Sequence, residues 1–157
     1  MRVLGIDPGT ITTGFGIVEN KKGELQVCEY GLIKTKKKSA PGERLNYIHQ
    51  EVSKIIGRSK LDIMVIEDIF LHKNFRSAVR IGEARCSAIL AALKQGLKII
   101  EYLPTEIKQA VVGNGRASKI QVQSMVKRLL HLPVSPPADA ADALAAAICH
   151  CYRQKYA

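Results

Sequence analysis

Several features that would assign the chain to a common class are missing. Among its 157 residues there is no run of about eighteen apolar residues, so no transmembrane helix is expected. The N-terminus leads straight into an apolar strand without a signal region or cleavage site, and the expectation is a cytoplasmic protein. Cys28, Cys86, Cys149 and Cys151 form no CxxC pair and match no zinc spacing. Cys149 and Cys151 stand two apart on an expected helix and so point to different faces. All four are expected to be reduced, mostly buried thiols. His49, His72, His131 and His150 are scattered with no HxxxH, which argues against a histidine-based zinc site. No internal repeat or second domain is visible, and the length suits a single domain over residues 1–157. Negative charge is also scarce. Lys and Arg number 24 against 14 Asp and Glu, a net charge of +10. A domain this basic meets a polyanion, nucleic acid first, unless its surface is merely basic and inert. A membrane surface fits less well, because no amphipathic helix stands free at a terminus.

The stretch that organises the rest is Arg2-Val3-Leu4-Gly5-Ile6-Asp7, followed by Pro8-Gly9-Thr10. Val3, Leu4 and Ile6 give it the look of a short buried strand, and Asp7 ends it. Pro8 and Gly9 then turn the chain. A carboxylate on a rigid strand end is where α/β folds place chemistry, although Asp is also a common first residue of a turn.

Residues 14–19 and 24–35 read as two further strands, joined by the polar residues 20–23 and forming an antiparallel meander with the first. Lys36-Lys37-Lys38-Ser39 is a charged loop, either a solvated tip or a DNA contact. Residues 41–57 carry Leu45, Ile48, Val52, Ile55 and Ile56 at helical spacing, with Gly57 placed as a C-cap glycine. Residues 63–66 are continuously apolar, the pattern of a strand buried on both faces, and end in Glu67-Asp68. Should this strand lie parallel to the first, Asp7 and Glu67 reach the same edge. After a loop or helix entry over residues 70–76, a long helix runs to about Gln95. It carries the small residues Ala78, Gly82, Ala84, Ser87, Ala88, Ala91 and Ala92, which permit close approach to a sheet or a partner. Lys73, Arg76 and Arg80 share a face near its start. Residues 98–103 form the last strand, and a short helix from Pro104 stops at Gly113. Ser118 and Gln121 fit a capping box for a helix starting at Lys119, with Val122, Met125, Val126 and Leu129 as its core face. Pro136-Pro137 sets up a last, alanine-rich helix from Ala138 to about Tyr152, with Asp139 and Asp142 on one face.

Four carboxylates therefore share similar circumstances: Asp7 and Glu67 at strand ends, Asp139 and Asp142 in the first turns of a helix. For the helical pair, stabilisation of the helix dipole is the competing explanation. A buried acid cluster repels itself unless a cation neutralises it. All-oxygen ligands suit Mg²⁺ or Mn²⁺. Two such ions about 3.5–4 Å apart activate water for in-line attack on a phosphodiester, with no covalent intermediate.

Taken together, Gly5-Ile6-Asp7-Pro8-Gly9, Ile66-Glu67-Asp68-Ile69-Phe70 with Lys73-Asn74, Val111-Val112-Gly113 and Asp139-Ala140-Ala141-Asp142-Ala143-Leu144-Ala145 resemble the RuvC Holliday junction resolvases. The resemblance covers the whole chain in the family's order. It implies an RNase H-like α/β fold: a mixed five-stranded sheet, the first three strands antiparallel and the rest parallel, with helices on both faces. It implies a homodimer, with the long helix as candidate dimer face, that nicks four-way DNA junctions symmetrically in recombination and repair. Two Mg²⁺ per active site are implied, with Mn²⁺ able to substitute, as is work alongside RuvA and RuvB. The family's catalytic and metal-binding acids correspond to Asp7, Glu67, Asp139 and Asp142. The Asp139 position is His in some relatives. Phe70 corresponds to the base-stacking aromatic, although a core Phe is the plainer reading of the residue itself. Lys108 and Lys119 correspond to functional lysines. Lys73, Arg76, Arg80 and Arg116 would contact the DNA backbone and position the junction. Asp7-Pro8-Gly9-Thr10 also looks like the first phosphate loop of actin-like ATPases. Those need two domains around a nucleotide, which a chain of this length does not supply.

Overall fold

The computed structural model describes residues 1–68 and 74–155. Its strands are β1 (Arg2–Asp7), β2 (Thr12–Lys21), β3 (Glu24–Lys34), β4 (Ile63–Glu67) and β5 (Lys98–Tyr102). Its helices are α1 (Pro41–Arg58), α2 (Phe75–Lys94), α3 (Pro104–Val112), α4 (Lys119–Leu129) and α5 (Ala138–Lys155). The sheet order is β3-β2-β1-β4-β5. β1 pairs antiparallel with β2, and β2 with β3, whereas β4 lies parallel to both β1 and β5. This is the RNase H-like mixed sheet, and the parallel β1–β4 pairing brings the ends of both strands to one edge.

Strand alternation divides the core into two layers. Leu4, Ile6, Met64 and Ile66 face α1 and α2. Val3, Ile63 and Val65 face the opposite layer, built from α3, α4 and α5. Asp7 and Glu67 continue the second set by the same two-residue period, which turns both toward α5. Helix α5 is buried nearly all round, from Ala140 to Cys151. Its alanines let it lie directly on the sheet. A methyl group built on Gly5 would overlap the Ala143 carbonyl, and one on Gly14 the Asp139 carbonyl.

Local chemistry sets the element ends, in places differently from the pattern reading. The β2–β3 turn narrows to Lys22 and Gly23, with φ of 54° and 96°, the backbone that a two-residue hairpin demands. Gly57 does not cap α1. The helix continues to Arg58, and the extended Ser59 ends it with its N–H donating to the Ile56 carbonyl. Gly113 does cap α3, at φ 80°. Ser118 and Gln121 form the reciprocal box at the start of α4. Helix α5 runs three residues beyond Tyr152.

The small residues of α2 turn inward. Ala84, Ser87, Ala88, Ala91 and Ala92 are buried against the chain's own core with Ile48, Val52 and Ile55 of α1. The outer face carries Phe75, Val79, Leu90 and Leu93, all exposed. Two of the four thiols, not most, are buried. Cys28 is the extra residue of a β-bulge opposite Ile17 and Val18, and Cys86 lies on the outer side of α2. Burial pushes the Cys149 and Cys151 thiols up to about 11, which leaves them unreactive.

Candidate active site

One line across the sheet builds the site. Leu32, Gly14 and Asp7 are paired in register, and Glu67 pairs with Tyr102 one step beyond the Ile6–Ile66 pair. Asp7 and Glu67 thus stand at the same level on adjacent strands. Gly14 sits beside Asp7, and its missing side chain admits the first turn of α5, bringing in Asp139 and, one turn on, Asp142. The turn after Asp7 is braced by the fully buried Thr13, whose hydroxyl donates to the Gly9 carbonyl at 2.7 Å and accepts from the Gly9 N–H at 3.3 Å. Arg85 of α2 braces the other strand end. Its Nε donates to the Glu67 carbonyl at 3.3 Å while its guanidinium pairs with Glu101.

All four predicted acids line one cleft of about 580 Å³, together with Lys108 and Lys119. The electrostatics are those of crowded, half-buried acids. Asp7 is pushed up to about 8, first by burial and then by the charges of Asp142, Glu67 and Asp139. Burial, then Asp142, raises Glu67. Lys119 Nζ stands 3.4 Å from Asp142 Oδ2, and its own pKa is raised by that partner. Asp142 is nevertheless raised, because burial outweighs the help from Lys119. Among the described residues no three His, Cys, Asp or Glu side chains are grouped tightly enough to hold a metal ion as they stand. The donor chemistry still fits a hard divalent cation. The carboxyls are all oxygen donors on one cleft, and a positive ion offsets the burial and the repulsion that together hold Asp7 protonated.

The other predicted contacts are spread around the cleft. Arg116 is exposed on the loop between α3 and α4, and Arg76 is exposed in the first turn of α2. Arg80 pairs with Glu83 at 3.2 Å, so it is not a free cation. Phe70 and Lys73 lie outside the described residues. Thr13, Gly14 and Arg85 support the site without belonging to any of its sequence motifs. Glycine inside a strand signals close backbone approach, and that signal was present at Gly14. Nothing in the sequence announces Thr13 or Arg85.

The family model described as crossover junction endodeoxyribonuclease RuvC matches residues 3–150. The chain belongs to the RuvC family. A RuvC from Pelotomaculum thermopropionicum is 47% identical over 153 residues, 97% of this chain and 93% of that one. The Vibrio parahaemolyticus RuvC is 48% identical, covering 98% of this chain and 88% of its own length. Among solved structures, Thermus thermophilus RuvC in complex with a Holliday junction substrate superposes with a TM-score of 0.93 at 32% identity, covering 99% of this chain and 96% of that one. Every motif quoted above for the resemblance falls inside the matched span.

Proposed function

We propose that the chain resolves four-way DNA junctions by paired, symmetric nicks, through Mg²⁺-assisted attack of water on the phosphodiester, in recombination and repair. The observation that carries this reading is the convergence of Asp7, Glu67, Asp139 and Asp142 on one cleft of a chain with net charge +10. These four acids would hold two Mg²⁺ ions, with Mn²⁺ as a substitute. When bound, such ions supply a water nucleophile at neutral pH and stabilise the leaving oxygen. The protein's own groups do the rest. Asp7 would bind such an ion as the carboxylate, once its proton is lost. Lys119, held at Asp142, and Lys108, which lines the same cleft, offer ammonium groups to the phosphate. Arg76 and Arg116 contact the backbone of the junction arms, and Phe70 stacks on a base at the crossover.

A four-way junction has two-fold symmetry, which a homodimer matches with two equivalent sites. The exposed apolar face of α2, Phe75, Val79, Leu90 and Leu93, is the surface that two copies would bury. The enzyme would act in the cytoplasm beside the RuvA and RuvB branch-migration proteins. The test is a nicking assay on a synthetic four-way junction and on linear duplex of the same sequence, with Mg²⁺ and with EDTA. Paired nicks confined to the junction with Mg²⁺ support the reading. Equal cutting of duplex, or cutting that persists in EDTA, overturns it.

A further inference from the structure

The lysine run at residues 36–38 has no part in the site as described, yet the fold carries it to the catalytic edge. β3 ends at Lys34, which pairs with Thr12 just after the Asp7-Pro8-Gly9 turn. Thr35 then ties the chain to that turn: its N–H donates to the Ile11 carbonyl at 2.9 Å, and its hydroxyl to the Thr10 carbonyl at 2.6 Å. The loop beyond is an ordered turn. The Ser39 N–H donates to the Lys36 carbonyl at 3.0 Å, and Arg44 Nε donates to the Ser39 carbonyl at 3.2 Å. Lys36, Lys37 and Lys38 are all exposed, and among the described residues none makes an ion pair. No acid occurs between Glu29 and Glu43. Glu29 pairs with Arg58, and Glu43 accepts from the Ala40 N–H in capping α1. A solvated tip has no need to be fastened to the backbone of the catalytic turn.

We propose that Lys36, Lys37 and Lys38 form a preorganised phosphate clamp that holds the backbone of a junction arm on the β3 side of the cleft. Lys108 and Lys119 line the cleft together with the acids. By ordinary strand spacing β3, which leads into the clamp, lies about 10 Å across the sheet from β1. A DNA backbone running from the loop into the cleft thus meets the clamp lysines before it meets the carboxylates and the cleft lysines. The clamp recognises phosphate, not sequence, and it positions the DNA without touching the reacting atoms. This inference rests on the reading that the edge binds four-way DNA.

The experiment compares two triple variants that lose the same charge. One is Lys36→Gln/Lys37→Gln/Lys38→Gln. The other is Lys22→Gln/Lys60→Gln/Lys98→Gln, whose lysines are exposed at the hairpin and the strand starts on the opposite edge. Junction affinity is measured against salt concentration, and thermal denaturation checks that both variants are folded. Each phosphate contact contributes about 0.9 to the slope of log affinity against log salt. The clamp variant is expected to have a slope shallower by two or more, with cleavage at saturating DNA retained. From about 50 to 200 mM salt, three lost contacts make the unaltered chain's affinity fall about 40-fold more than the variant's. The opposite-edge variant should keep the original slope. Equal slopes for the two variants overturn the clamp. Should the unaltered chain fail to bind a junction at all, the functional reading itself fails. Should it bind while the clamp variant keeps its slope, only the clamp does.

Discussion

At the residue scale, the chemistry of the site depends on where Asp7 holds its proton. Its pKa in the folded chain, about 8, lies far above the ordinary 3.8, so the metal-free folded state binds a proton that the unfolded state releases. Stability from this group is present below about 4 and is lost as pH rises toward 8. Thermal denaturation in EDTA should therefore show the unaltered chain losing more stability between pH 5 and pH 8 than Asp7→Asn does, with the variant melting higher at pH 8. Each kcal/mol relieved is worth roughly 2–4 °C in a chain of this size. The same variant should lose cleavage by about 10³-fold or more, as a several-kcal/mol loss of transition-state stabilisation implies, while junction binding survives. Loss of binding along with cleavage would mark Asp7 as a folding residue. His150 behaves in the opposite sense. Burial and then Lys98 lower its pKa, and its Nδ1 stands 2.9 Å from the Tyr102 hydroxyl. Its contribution is present above about 6.5 and is lost as pH falls below that value.

At the scale of elements, the site depends on how closely α5 lies on β1 and β2. Gly14→Ala drives a methyl group into the Asp139 backbone. It should cost about 1–3 kcal/mol in urea denaturation and abolish cleavage even where the chain still folds. Wild-type stability in this variant would show that the helix has room to spare. Much of this arrangement was legible in the sequence. Strands ending in Asp7 and Glu67, the capping box at Ser118 and the acid pair three apart on α5 are local patterns, and local physics decides them. What escaped depends on neighbours remote in the chain. Alanines and serine on α2 signal close packing but not which side packs, and only the fold shows them turned inward. Gly57 reads as a cap by position, yet the extended Ser59 performs that task. Thr13 and Arg85 act through backbone carbonyls, which carry no sequence signature.

At the scale of the whole molecule, a basic domain keeps a small acidic centre where three distant segments meet, the ends of β1 and β4 and the start of α5, and it exposes a separate apolar face on α2. Burying Phe75, Val79, Leu90 and Leu93 between two copies predicts a dimer in solution. Val79→Asp/Leu93→Asp should give a monomer by light scattering and should replace paired nicks with single, uncoordinated ones. A dimer that persists would place the interface elsewhere. The acidic centre itself is tested most directly by titrating Mn²⁺ into the metal-free chain at pH 7 and counting the protons released. Asp7 is mostly protonated there, so binding should expel close to one proton. Asp7→Asn should abolish that release and weaken binding, as should Glu67→Gln and Asp142→Asn for binding. Undiminished Mn²⁺ binding in these variants, or binding by the unaltered chain with no proton released, would contradict a shared carboxylate centre.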